Sequence, residues 1–426
     1  SDAYKTVGFL DDPLGYPSYA VQFDSYTGPS GSSSISRSAG MFANFNYSWD
    51  NRYLIDLTGR IDGSSNFASK QRSAPFWSAG VRWNIYNEKF MKTHGWFENL
   101  AVRANIGTVG NQNFQLSQIM TLYNFLKMYD GVMGAEIMSI ANPELKWQTT
   151  LNRNIGLEFS LLQGLVNLDF NYYSNITKNN LTDIAILPST GFSTYKANMG
   201  KVRNQGYEFS LSITPIKKNG WIVNAFVNGA HNKNKLLNIS DALRDYNEVI
   251  KENQTAHLNY AGYTQLERIF LFEEGQSLNS IFAVRSMGID PGTGQEIFVT
   301  ADGVQTFQWN AADQVVVGNT EPTLKGYFGL NVDYKRWSFG ANFQYSFGAD
   351  RYNKTLYEKI EGGNFAQNAD RRALTQRWTK PGDVAKYRGY GNTSQLKPTS
   401  RFVQKDDFLS MTSARLSYTL NANDLQ

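Results

Sequence analysis

The sequence predicts an all-β protein: a transmembrane antiparallel β-barrel whose long loops share one side. Three observations lead there. Apolar and polar residues alternate with a period of two through about a dozen stretches of roughly ten residues each. Short and long connections take turns between the stretches. Aromatic residues gather beside the short connections, where a membrane interface would lie.

The first stretch shows the pattern most plainly. Met41, Ala43, Phe45, Tyr47 and Trp49 share one face, with Asn44, Asn46 and Ser48 on the other. Asp50, Asn51 and Arg52 interrupt it as a tight turn. Tyr53, Ile55, Leu57 and Ile61 then resume it against Asp56, Thr58, Arg60 and Asp62. Side chains alternate faces along a strand, so this is a hairpin with one apolar and one polar face. A lone hairpin does not persist in water, so its apolar face needs a partner.

Further strands follow in order: Trp77 to Ile85, Leu100 to Ile106, Ile155 to Leu161, and Val166 to Tyr172 after a turn at Gln163-Gly164. Tyr207 to Ile213 and Trp221 to Val227 flank the Asn-Gly turn within Lys217 to Gly220, a strong hairpin signal. Leu324 to Tyr334 and Trp337 to Phe347 flank Lys335-Arg336, and a last strand holds Leu416, Tyr418 and Leu420. The short links fall near Asp50, Asn87 to Glu98, Gln163, Asn219 and Lys335. Between them lie Gly63 to Pro75, Gly110 to Lys146, Ser174 to Lys201, Lys235 to Pro322 and Ala349 to Leu409. Short turns at one end and long loops at the other mark an outer-membrane barrel, with the turns periplasmic and the loops extracellular. The parity requires Lys235 to Pro322 to begin and end outside, with an even number of short strands within it. Trp49, Tyr53, Trp83, Trp221, Tyr334 and Trp337 sit at or beside the short turns, as an interfacial girdle does.

Composition excludes several other classes. Of 426 residues, 14% are aromatic, and no apolar run approaches the roughly 20 residues of a transmembrane helix. The 41 basic and 37 acidic residues leave a net charge of +4 with no basic stripe, so no nucleic acid is expected as a partner. The absence of cysteine removes disulfides and thiolate metal sites. A soluble β-protein packing its aromatics inward is the competing fold. It would rarely sustain so many long strands with polar opposite faces, and it predicts a chain that stays in solution without detergent. The chain opens on Ser1-Asp2-Ala3 without an apolar signal segment, so either processing removed one or the chain begins inside something larger. Ser1 to Arg37 reads as loop, and the last strand ends at Asn421 without a partner. Open edges are not viable in a membrane, because no water satisfies the unpaired amides.

Catalytic and metal signals are sparse. His94, His231 and His257 are far apart and lack ligand spacing, and no nucleophile elbow or phosphate loop occurs, so no enzyme is expected. Asp290-Pro291-Gly292-Thr293-Gly294, with Asp302-Gly303 beyond, admits a calcium reading. It lacks the alternating acids and closing glutamate of an EF-hand, and two successive β-turns account for the same residues. No other cofactor is indicated. The polar strand faces would line a lumen with Asp56, Arg60, Asp62, Arg82, Arg103, Glu158, Asp169 and Glu208. Charges of both signs suit a wet interior or a grip on an internal plug, and argue against a porin ring of one sign. The Asn, Tyr, Phe and Gln of the long loops suit contacts to sugars or peptides, and equally suit solvated loops.

An ordered series of motifs then stands out: RIDGSSNF (Arg60 to Phe67), PFWSAGVRWNI with Glu88, Lys89 and Phe90, LAVRANIGTVGN (Leu100 to Asn111), and NPELKWQ (Asn142 to Gln148). It continues with NIGLEFSLLQG (Asn154 to Gly164), Asn171 to Thr177, STGF and NMGKVRNQGYEFSL (Ser189 to Leu211), GIDPGTG (Gly288 to Gly294) and RWTKPGD (Arg377 to Asp383). The series resembles the SusC/RagA family of TonB-dependent outer-membrane transporters, from about Phe42 to Leu420. The resemblance implies active import of oligosaccharides or oligopeptides across the outer membrane of Bacteroidota-type bacteria. It also implies a SusD-like surface lipoprotein as lid and the TonB complex as energy source. Family barrels have roughly 22 strands around an N-terminal plug. Residues 1–426 are therefore expected to be a partial transmembrane barrel domain, with plug and closing strands outside this chain. A passive porin or adhesion barrel without energy coupling is the alternative function.

Overall fold

In the computed structural model the described residues run from Arg37 to Leu420. Interruptions fall at 66–72, 92–95, 112–120, 130–131, 140–141, 143–144, 186–191, 193, 199, 242, 246, 249–250, 252–270, 364–369 and 391–395. His94, His257 and the loop reading of the first 36 residues lie outside them.

Eleven strands form one antiparallel sheet in which every strand pairs with the next in sequence. They are β1 (Ser38–Trp49), β2 (Tyr53–Ser64), β3 (Ser73–Asn84), β4 (Phe97–Asn111), β5 (Gln148–Leu161) and β6 (Val166–Lys178). β7 (Gly200–Lys218), β8 (Trp221–Ile239), β9 (Leu324–Tyr334), β10 (Trp337–Phe347) and β11 (Phe408–Tyr418) complete it. This up-and-down order is that of a barrel wall. Among the described residues, β1 and β11 each pair on one side only.

The turn chemistry explains the tight end. Asp50 and Asn51 both sit at φ 51°, and Asn219 and Gly220 at 54° and 78°. Asn, Asp and Gly tolerate that left-handed region best. Every short connection lies at this end and every long one at the other, as the alternation predicts. The aromatic girdle marks the tight end too: Trp221 stacks on Tyr334 with ring centres 4.1 Å apart, and Trp337 meets Tyr418 at 4.8 Å. The outward face is apolar and uncovered by protein, with Met41 80%, Ile155 58% and Leu416 67% exposed. Such a band would aggregate in water, and hydrocarbon is its solvent in a bilayer. No helix among the described residues is long and apolar enough to cross a membrane.

Two strands overrun their expected limits. β7 begins at Gly200, well before the first residue read as strand, Tyr207. β8 continues to Ile239, beyond Lys235. Both are 19 residues long and so reach past the hydrocarbon. Their loop-end residues Val202, Leu236 and Ile239 are buried with Leu243. By register these residues share the polar face of Asn204 and Asn232, so packing on protein puts apolar side chains there and the alternation fades.

The long connections have structure of their own. Between β8 and β9 a four-stranded sheet runs in the order Gln305–Thr306, Glu296–Val299, Ser280–Ile289, Gln314–Asn319, an even number as the parity requires. Between β10 and β11 lie Asp350–Tyr352 paired with Val403–Lys405, a π-helix Thr355–Glu361 and a helical turn Arg372–Thr375. The two connections share one core of Ile281, Tyr352, Leu356, Tyr357, Ile360, Ala373, Tyr387 and Phe402. This unit, the loop domain, packs as a water-soluble protein does.

Candidate functional site

The eight polar-face residues divide into groups. Arg82 on β3 lies directly opposite Arg103 on β4, and Glu158 on β5 directly opposite Asp169 on β6. Like charges facing each other repel, so the side chains pair along diagonals instead. Arg82 reaches across β4 and grips Glu158 with both terminal nitrogens, at 3.2 and 2.8 Å. Arg103 donates to the same carboxylate at 2.5 Å, to Asp169 at 3.3 Å and to Asn171 at 2.7 Å. Gly156, opposite Arg103, makes the room: a Cβ there would stand 2.5 Å from Arg103 Nε. Arg60 pairs with Asp62 at 2.6 Å on β2. Asp56 and Glu208 form no ion pair among the described residues.

Glu208 instead lines two neighbouring hollows on the same face. One, of about 560 Å³, is walled by Asp169, Asn171, Glu208, Asn228 and Lys325. The other, of about 660 Å³, lies toward the loop end and is walled by Asn105, Asn154, Asn204, Asn232 and Glu321. Tyr173 donates its hydroxyl to Asn232 Oδ1 at 3.0 Å, and Asn232 Nδ2 donates to Glu321. From β3 to β8 this face thus carries paired charges toward the turns and amides toward the loops, while the Arg60–Asp62 pair of β2 sits at the loop end. Sequence reading missed this amide belt, although alternation alone places each Asn on the polar face.

At the tight end, Glu88 accepts hydrogen bonds from Tyr53 at 2.6 Å, Trp83 at 3.0 Å and Arg52 at 3.1 Å. These donors, Tyr53 foremost, hold the Glu88 carboxyl below the usual range. The carboxylate ties two successive turns to the aromatic girdle.

The loop domain holds a second ion network, which sequence reading also missed. Glu361 accepts from Arg388 and from Arg401, both at 2.9 Å, and Arg401 pairs with Glu296 at 2.9 Å. Burial alone would raise the Glu361 carboxyl, but Arg401 and Arg388 prevail and hold it low. Arg377, buried, donates to the carbonyls of Ala373, Ile360, Glu361 and Arg388. Trp378 Nε1 donates to Pro291 O at 2.9 Å, and a Cβ at Gly294 (φ +72°) would stand 2.5 Å from the Trp378 ring. GIDPGTG and RWTKPGD, far apart in sequence, are therefore two halves of one contact. NPELKWQ behaves alike: Trp147 packs on Phe76, and Lys146 N donates to Asn198 Oδ1 at 3.1 Å.

Asp290 Oδ2 accepts from Thr293 N at 3.0 Å and Thr293 Oγ1 at 2.6 Å, the bonding of a turn. His231 Nδ1 contacts Thr323 O and its ring stacks on Tyr207. Among the described residues no three metal-ligating side chains cluster.

An antiparallel wall with a lipid-ready outside, a polar inside and a folded domain over one rim defines an outer-membrane β-barrel protein. Residues 2–265 match the family described as TonB dependent receptor-like, beta-barrel, and the chain belongs to that family. It is similar to TonB-dependent receptor P39 of Formosa agariphila, 27% identical over 90% of this chain and 40% of that protein. TonB-dependent receptor SusC of Bacteroides thetaiotaomicron is 27% identical over 77% of this chain and 33% of its own length. Among solved structures, the RagAB peptide transporter superposes with a TM-score of 0.79 at 26% identity. That match covers 97% of this chain and 44% of the other. The SusC/RagA likeness read from the motifs therefore holds. The chain spans about a third to two fifths of the length of these relatives.

Proposed function

We propose that this chain supplies part of an outer-membrane importer of large nutrients, driven through the TonB complex and closed by a SusD-like surface lipoprotein. The observation that carries the reading is the loop domain. A passive pore needs no folded unit with its own buried core and ion network above one rim, whereas a gated importer needs a rigid surface for a lid to meet. The mixed, amide-graded inner wall supports the same reading, because a large polar cargo needs many weak contacts rather than a ring of one charge. The cargo class is an oligosaccharide or an oligopeptide. Asp56, Arg60, Asp62, Arg82, Arg103, Glu158, Asp169 and Glu208 are assigned to the lumen, facing plug or cargo. Residues 1–426 would be part of the barrel, the plug and closing strands coming from elsewhere in the protein. The activity is transport rather than catalysis.

Purification of the tagged full-length protein from native membranes tests this, together with uptake of labelled oligomers. A large lipoprotein at equal stoichiometry is expected, with uptake that stops when the TonB complex is disabled. A lone closed trimer with unchanged uptake would overturn the proposal.

A further inference from the structure

Beside the buried ion network, the loop domain opens a cleft of about 480 Å³. That size admits a small molecule or the end of an oligomer. Its floor is apolar, with Leu356, Tyr387 and Phe402 all buried. Around the rim stand Arg372 and Lys386, both exposed, and the amides of Gln376 and Gln404. Among the described residues the lining holds three basic residues, Arg372, Lys386 and Arg401, and no carboxylate.

These cations are not equally available. Arg401 is committed to Glu296 and Glu361, and Arg372 shares its charge with Asp370. Lys386 makes no ion pair among the described residues, and only its backbone is engaged, through Gln376 O and Arg401 Nη1. A cleft of one sign with low-dielectric walls concentrates its field on whatever enters.

We propose that this cleft binds a carboxylate carried on a compact ring or apolar body. Lys386 and Arg372 meet the carboxylate at the rim, Gln376 and Gln404 bond its polar neighbours, and the floor of Tyr387 and Phe402 covers the body. One uncommitted ammonium and one shared guanidinium match a single negative charge. A phosphate dianion would need Arg401 released from two buried carboxylates. The site is distinct from the inner wall of the barrel, and its occupancy does not depend on transport.

The test is calorimetric titration of the detergent-purified full-length protein with four probes. These are glucuronate, glucose, a short apolar peptide with a free C-terminus, and the same peptide amidated. At least one acid should bind about tenfold or more tightly than its neutral counterpart, the worth of one charge-assisted hydrogen bond. Lys386→Gln should weaken that binding by a similar factor, and raised salt should weaken it further. Both substituted groups at the rim are exposed, so Lys386→Gln and Arg372→Gln leave the fold intact. Glucuronate alone would identify an acidic sugar as the source of the carboxylate, and the free peptide alone a peptide terminus. Equal binding of acids and neutral probes, or acid binding unchanged in both variants, would overturn the proposal.

Discussion

The barrel wall and the loop domain both hold arginines bridged to carboxylates, but they keep them in different surroundings. In the wall, Glu158, Arg103 and Asp169 retain 19%, 36% and 42% side-chain exposure. In the loop domain, Glu361 is fully enclosed, Glu296 is 6% exposed and Arg401 12%. A buried charge that loses its partner has no water to turn to, so the loop network is an all-or-none lock. The wall network keeps one side open to solvent, so its members can trade partners with water. The same residue types are enclosed and fixed in one place and partly exposed and exchangeable in the other.

Removing Glu361 should break the comparison open most widely. Glu361→Ala leaves Arg401 and Arg388 without a shared carboxylate and should destabilise the loop domain by about 3–5 kcal/mol. Hydrogen exchange should rise through Thr355–Glu361 and Arg372–Thr375 while β1 to β11 keep their protection. Equal loss in the strands would show that the two regions are not independent.

Acid should act on the same lock more gradually. Glu361 is held low by its arginines, while Asp370, in an exposed pair outside the lock, lies at about 2 because Arg372 donates to it and adds little to stability. Carboxyls lowered in the folded state contribute stability above their unfolded value, about 4, which disappears as pH falls through the folded one. Protease cleavage in the loop domain should therefore increase below about pH 4. Glu361→Gln should remove its share of that dependence, and a variant with an unchanged profile would assign the effect elsewhere.

The contrast also explains what could be read in advance. Where one face meets lipid, Met41 to Trp49 or Trp337 to Phe347 must alternate strictly, and the strands are legible residue by residue. The charged wall residues were legible as a face but not as pairs, because Arg82 finds Glu158 by crossing an intervening strand. The amide belt was legible as a set of polar-face Asn residues but not as a wall, and toward the loop end Val202 and Leu236 put apolar side chains on that same face, which hides the period. Ile281, Ile360 and Phe402 form their core from segments far apart in irregular chain, and no local period records that. What did record it was RWTKPGD with GIDPGTG, visible as motifs but not as two sides of the Trp378 contact.

A smaller effect is expected at Gly156. The added methyl of Gly156→Ala must displace Arg103, whose Nε lies 2.5 Å from that position, toward solvent or the lumen. Because Arg103 is long and partly exposed, the barrel should lose only about 1 kcal/mol, at the low end of overpacking. A heat-modifiability shift of a few degrees would register it, whereas failure to insert would show that the wall is as rigid as the loop domain.

Arg103→Ala should disturb stability least and function most. Partly exposed pairs are worth under about 1 kcal/mol after solvent screening, so the variant should fold and insert as the parent does. Glu158 keeps its two bonds from Arg82, and Asp169 keeps Asn171. If the wall charges serve the barrel alone, uptake should then be unchanged. If they grip an internal domain or its cargo, uptake should fall about tenfold or more at equal surface abundance. Arg103→Lys should recover part of it, since a lysine restores the charge but not the fork that spans Glu158 and Asp169. Uptake and melting temperature measured on the same three proteins separate the two roles, because a fall in uptake at an unchanged melting temperature cannot come from lost barrel stability.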